Sequence, residues 1–226
     1  MEKQLKKYSS QLGENLEKII MPLAQPEEVE RKEKEAAEEF KLYSLGLADR
    51  VLSMLDPDRD LSNSRVLVLE NGTGFLARRL AERGDVDVVA TAPTRSLSRL
   101  AGQINPYPSI IYKWFNPFPA TEEFDIIIGT GILAFYPKQL TRTLLESLAS
   151  FCKRKLIIEL PLSMPWHYRL FQRKLNPGGL ELTGFNSKEV FSLIENTCGM
   201  LISEHRTIRG KILFKALKKA HLSLSR

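Results

Sequence analysis

Cysteine is scarce in this chain. Cys152 and Cys198 are the two among 226 residues, far apart and without metal-ligand spacing, so a disulfide scaffold and a zinc centre are both excluded and a reducing compartment is favoured. Both thiols read as small core hydrophobes rather than reactive groups. Histidine is nearly as rare, at three residues. Long apolar runs are missing as well: no stretch approaches the roughly 20 residues of a membrane span. The charged start MEKQLKKYSSQLGENLEKII has neither the apolar core nor the cleavage site of a signal peptide, which points to a cytoplasmic location. No repeat or low-complexity segment stands out.

What is present is a globular composition. Hydrophobic residues make up 43%, ample for the core of one α/β domain with an extension. Charge is distributed unevenly: residues 1–64 carry a net −4 and residues 65–226 a net +10. In the acidic part, Leu5, Tyr8, Leu12, Leu16 and Ile19 recur at helical spacing and predict a helix to about Ile20, ended near Pro22. A second helix is expected after Pro26, opening on EEVERKEKEAAEEF, running through Tyr43, Leu47 and Val51 to about Leu55, and closed by the turn Asp56-Pro57-Asp58. Its acidic first turn suits a helix N-terminus, and most of its charge reads as a solvated face. Residues 1–60 are thus expected as a helical extension and residues 61–226 as an α/β domain.

The most informative segment is VLVLENGTGFLA, Val66 to Ala77. A β-branched run breaks into Gly72-Thr73-Gly74 and resumes with helical spacing, the pattern of a strand, a tight glycine turn and a helix start. Glycine at such a turn admits positive φ and close backbone approach, and the helix start offers unpaired N–H groups to an anion. A G-x-G turn also closes many junctions that bind nothing. After it come VDVVATA (Val86 to Ala92), a helix over Arg95 to Ile104, a strand SIIYKW (Ser109 to Trp114) and FDIIIGTGILAFYP from Phe124 to Pro137. Leu140 to Phe151 fits a helix, Lys155 to Leu160 a fifth strand. Asn186 reads as a helix cap with Glu189 three residues on. Strands over Met200 to His205 and Lys211 to Ala216 flank a basic turn, Arg206 to Gly210.

In this order the segments resemble the class I S-adenosylmethionine-dependent methyltransferases, over about residues 40 to 217. The resemblance implies a Rossmann-like α/β fold, a seven-stranded mostly parallel sheet in the order 3-2-1-4-5-7-6 with helices on both faces. It implies S-adenosylmethionine as cofactor and S-adenosylhomocysteine as product. Gly72, Thr73 and Gly74 match the turn under the methionine part of the cofactor, with Glu70 and Asn71 beside them. Ala92 and Pro93 stand at the ribose position, and Trp114 or Phe115 is placed to stack on adenine, although an aromatic there is as often core packing. Thr130 and Gly131, in Gly129-Thr130-Gly131-Ile132-Leu133, match the strand end that faces both cofactor and acceptor. The N-terminal helices then lie over the active-site mouth, with Tyr43 a candidate acceptor contact, or dock a partner protein.

The departures are equally specific. Val68 stands where the family usually has an acid, Glu70 where it has the first glycine, and Ala92 where a carboxylate accepts from both ribose hydroxyls. Each such lost hydrogen bond is worth on the order of 1.5 to 3 kcal/mol. Two functions therefore stay open: methyl transfer to a small or medium-sized acceptor, and a non-catalytic methyltransferase-like subunit that binds a protein partner or RNA. A third reading takes Gly72-x-Gly74-x-x-Ala77 as a dinucleotide fingerprint with Arg95 on a 2′-phosphate; the segments after Gly74 suit it less well. Methyl transfer needs an aligned nucleophile and often no general base, so no catalytic residue is obligatory. His167, beside Trp166 and Tyr168, is the one histidine placed for that role, and a lone histidine there is more often structural. Gly129-Thr130-Gly131-Ile132 replaces the Asn/Asp-Pro-Pro-aromatic run of nucleic-acid amine enzymes, which argues against base-amine methylation. Lys153, Arg154, Lys155, Arg169, Arg173 and Lys174, with Lys215, Lys218 and Lys219, are a candidate phosphate-facing surface or ordinary solubilising charge.

Overall fold

The computed structural model of the protein describes residues 2–25, 27–70, 72–114, 122–162, 184–208 and 210–219. Asn71, Phe115 and the run holding Trp166, His167, Tyr168, Arg169, Arg173 and Lys174 lie outside the described residues. Two compact units are present, Lys7–Phe115 and a second made of Met1–Lys6 with Asn116–Arg226. Their strands follow in the order β3-β2-β1-β4-β5-β7-β6, the order expected from the resemblance.

In the first unit, β1 (Ser64–Leu69), β2 (Val86–Ala92) and β3 (Ile110–Trp114) are parallel. Val66 pairs with Val88 in register, and Ala92 with Trp114. The β-branched runs that predicted these strands are buried on both faces of β1 and β2, as parallel strands under helices require. Helix α3 (Phe75–Ala81) follows the glycine turn, and α4 (Arg95–Ile104) follows β2. β2 stops where Pro93 removes a ladder donor. Thr94 then caps α4, its hydroxyl accepting from the Leu97 N–H at 3.2 Å.

Helix α1 (Glu2–Ile20) buries Leu5, Tyr8, Leu12, Leu16 and Ile20. Ile20 takes the last place in that stripe rather than Ile19, because four residues separate it from Leu16 and complete the turn. Helix α2 (Arg31–Leu52) starts later than its acidic run suggests, since Glu30 is extended (φ −60°, ψ 149°). It ends before a π-helical turn, Pro57–Leu61, where the Asp56 carboxylate accepts from the N–H groups of Asp58 (3.1 Å) and Arg59 (3.3 Å).

In the second unit, β4 (Phe124–Gly129) pairs parallel with β5 (Cys152–Pro161), while β7 (Lys211–Lys218) runs antiparallel to both β5 and β6 (Met200–Ile208). β5 and β6 outrun their expected ends. Lys153 to Lys155 continue a strand whose charged side chains stay partly in solvent, and Arg206 belongs to β6, paired with Leu213 and bonded to Glu204 at 2.8 Å. Helix α5 is Lys138–Ser150. Helix α6 (Ser187–Ser192) opens on the expected capping box between Asn186 and Glu189. Cys152 and Cys198 are buried and in no disulfide, and burial pushes each thiol up to about 11. Among the described residues no helix is long and apolar enough to cross a membrane, and no cluster has the makings of a metal site.

Candidate functional site

The residue after β1 is Glu70, and its carboxylate is buried, with 5% of the residue exposed. Burial raises its pKa from 4.5 to about 7; the N–H groups of Ala77, Leu76 and Gly74, at the start of α3, pull the other way without cancelling that effect. One oxygen, Oε1, has no hydrogen-bond partner among the described residues. A buried carboxylate with an idle oxygen is costly unless a donor or cation reaches it.

Both glycines of the turn are held at positive φ, +100° at Gly72 and +74° at Gly74. A Cβ on Gly72 would come within 2.8 Å of Leu97 Cβ, and one on Gly74 within 3.0 Å of Tyr112 Oη and 3.1 Å of the Ala101 carbonyl. The glycines are therefore demanded by α4 and β3 packing against the turn. Asn105 donates its amide to the Thr73 carbonyl at 2.8 Å, and Tyr112 donates its hydroxyl to the Asn105 carbonyl at 2.6 Å. These two bonds tie the turn to the end of α4 and to β3. Burial, and then the charge on Glu70, hold the Tyr112 phenol above its ordinary range.

At the tip of β2, Ala92 is buried and offers no acceptor. Thr91 donates its hydroxyl to the Val68 carbonyl at 3.2 Å, tying this tip to β1. Helix α1 crosses just beyond. A Cβ on Gly13 would run into Thr94 Cγ2 and lie 3.2 Å from Pro93 Cβ, and the Thr94 hydroxyl donates to the Glu17 carboxylate. The tip of β2 is thus bordered by a helix seated through a glycine. Trp114, at the end of β3, is half-exposed with the Arg95 guanidinium 5.4 Å from its ring centre.

The second unit has its own strand-end site. Thr130 is buried, and Gly131 turns the chain after β4 with φ +66° and ψ −58°. The Gly131 N–H donates to Glu159 Oε2 at 3.2 Å, and Lys211 Nζ lies 3.4 Å from Glu159 Oε1. Glu159 and Lys211 are both buried. This ion pair was not singled out from the sequence. A glutamate late in an apolar strand, KLIIEL, and a lysine opening another are the signals that pointed to it. Of the six basic candidates that are described, Lys215 is bonded to Glu204 and Lys153 to Glu123, at 2.9 and 3.1 Å, which suits ordinary surface pairing.

No family model matches the chain, and no curated protein does. Solved structures do. A magnesium protoporphyrin IX methyltransferase (ChlM) from Synechocystis, with bound S-adenosylhomocysteine, superposes with a TM-score of 0.66 at 17% identity over 85% of this chain and 89% of that one. A TehB-like S-adenosylmethionine-dependent methyltransferase from Corynebacterium glutamicum gives 0.58 at 15% identity, over 82% and 97%. The putative methyltransferase complex with the Trm112 activator from Haloferax volcanii gives 0.60 at 11% identity, over 71% and 84%. At these identities the likeness is one of fold.

Proposed function

With the class I methyltransferase fold as premise, we propose that this protein is a divergent S-adenosylmethionine-dependent methyltransferase acting on a small or medium-sized acceptor in the cytoplasm. Residues 1–60 serve as its helical extension. The observation that carries this reading is Glu70: a buried carboxylate with an idle oxygen at the glycine turn. The ammonium at the methionine end of the cofactor is the donor that oxygen lacks, so the residues fit the group at that end. At the ribose end Ala92 provides contact and no acceptor.

In this reading Glu70 holds the ammonium and the Gly72-Thr73-Gly74 backbone lies under the methionine chain. Asn71, Ala92 and Pro93 border the rest, with Trp114 or Phe115 beside the adenine. The cofactor supplies an electrophilic methyl group on a sulfonium, which needs an aligned nucleophile more than acid–base help. The protein's contribution is alignment: the bonds from Asn105 and Tyr112 fix the turn, and Glu159 fixes the Gly131 N–H in the loop that the resemblance assigns to the acceptor side, with Thr130. The porphyrin named for the Synechocystis protein supports a small-molecule acceptor, and the activator named for the Haloferax complex supports a protein partner.

A second reading, a non-catalytic binding subunit, is favoured by one observation, the seating of Gly13 and Glu17 on Pro93 and Thr94. Calorimetric titration with S-adenosylhomocysteine separates the two. The enzyme reading expects saturable binding, and at 100 times the dissociation constant a stabilisation of about 2.7 kcal/mol, visible as a raised melting temperature. No heat and no melting shift at millimolar ligand would instead support the binding subunit.

A further inference from the structure

Helix α1 approaches the end of β2 through a glycine. Glycine inside a helix costs about 1 kcal/mol relative to alanine, yet Gly13 lies within α1, where a Cβ would run into Thr94 Cγ2 and stand 3.2 Å from Pro93 Cβ. Glu17, four residues on, lies on the same helix face. Its Oε1 accepts from the Thr94 hydroxyl, which itself accepts from the Leu97 N–H at 3.2 Å. The carboxylate is thereby held against the loop that follows Ala92, and all of these residues belong to the unit Lys7–Phe115. Ala92 is buried and brings only a methyl group. Glu17 is half-buried, and its second oxygen, Oε2, makes no hydrogen bond or ion pair within the described residues.

A carboxylate offers about four acceptor positions on its two oxygens, and Thr94 uses one of them. Fastening α1 to Thr94 asks for a single acceptor oxygen, which a neutral glutamine also has. A second oxygen, fixed beside the first, is what two neighbouring donors require, and a vicinal diol is such a pair. We propose that Glu17, brought in on α1, is the acceptor for the ribose hydroxyls of S-adenosylmethionine that Ala92 does not provide. The inference rests on the cofactor reading above, in which Ala92 and Pro93 border the ribose, and adds to it a residue from the helical extension. Two carboxylates then divide the ligand: Glu70 takes the ammonium and Glu17 the diol. The extension becomes part of the cofactor site, and the glycine at position 13 is what lets its carboxylate come close enough.

The test is calorimetric titration of the full chain with two ligands, S-adenosylhomocysteine and its counterpart lacking both ribose hydroxyls. The parent should bind the first at least about tenfold more tightly than the second. Glu17→Ala should weaken S-adenosylhomocysteine by about that factor and the deoxygenated ligand hardly at all, so that the variant binds the two alike. Glu17→Gln keeps the acceptor for Thr94 and replaces Oε2 with a donor; it should melt with the parent and bind S-adenosylhomocysteine severalfold more weakly. Glu70→Gln should weaken both ligands equally, since the ammonium end is common to them. If Glu17→Ala melts below the parent, Glu17→Gln decides. Equal losses for the two ligands, or a Glu17→Gln protein that keeps the parent's full preference for the hydroxyls, would mean that Glu17 only fastens α1, and would overturn the inference while the cofactor reading stands. A parent that binds both ligands equally well overturns it in the same way. A parent that binds neither at millimolar concentration removes the cofactor reading, and this inference with it.

Discussion

Among the described residues, each unit buries one glutamate at the carboxyl end of a strand, and the two are solved differently. Glu159, in β5, has Lys211 at 3.4 Å and the Gly131 N–H at 3.2 Å. Its charge is met from within the protein, by a cation and a backbone donor. Glu70, after β1, has helix N–H groups on one side, an idle oxygen on the other, and a pKa raised to about 7. A carboxylate with an internal cation is a fastening. One without bears the cost of its own desolvation, the kind of group whose titration is shifted where a protein binds or reacts. That contrast separates a glutamate met within the fold from the one to which we assign the cofactor's ammonium.

The contrast breaks most severely if Glu159 is made to resemble Glu70. Lys211→Met should destabilise the protein by about 3–5 kcal/mol in urea unfolding at neutral pH, and the double variant Lys211→Met with Glu159→Met should recover most of the loss. If the single variant costs nothing, the pair is not what satisfies Glu159.

The converse change should help. Because the folded pKa of Glu70 lies above the unfolded value of 4.5, the folded state binds the extra proton. Stability from this group is therefore greatest below about pH 4.5, falls between 4.5 and 7, and is level above. Glu70→Gln should match the parent near pH 4.5 and exceed it by up to about 3 kcal/mol at pH 8. A gap that does not grow with pH would place the ionisation elsewhere. The seating of α1 gives a smaller effect: Gly13→Ala should cost about 1–3 kcal/mol by overpacking on Pro93 and Thr94. Smallest is Gly199→Ala, with φ +62° and nothing within 4 Å of the added methyl, at about 1 kcal/mol of backbone strain. Equal melting temperatures for these two variants would mean that α1 yields freely.

The sequence made some of this legible and hid the rest for physical reasons. β2 ends and α4 begins where expected because their punctuation is local: Pro93 stops the ladder and Thr94 caps the helix start. The Asn186 and Glu189 capping box is local too. The strand extensions through Lys153 and Arg154 and through Arg206 were hidden, since charged residues on a half-solvated strand face carry no hydrophobic period. The demand for glycine at Gly72 and Gly74 comes from Leu97 and Tyr112, distant in sequence, so only the turn and not its cause could be read. Val68, Glu70 and Ala92 were visible as departures. That Glu70 is buried with an unmet oxygen, and that α1 sits against Pro93 and Thr94, depends on long-range packing alone.

The central claim, that Glu70 receives the cationic end of S-adenosylmethionine, is tested most directly by the pH dependence of cofactor affinity in the parent and in Glu70→Gln. Since the ligand must find the carboxylate ionised, calorimetry should show the parent binding about tenfold more weakly at pH 6 than at pH 8, for a group titrating at about 7. Glu70→Gln should bind weakly at both. Parent affinity that is flat across this range, or a Glu70→Gln protein that binds as the parent does, would contradict the account.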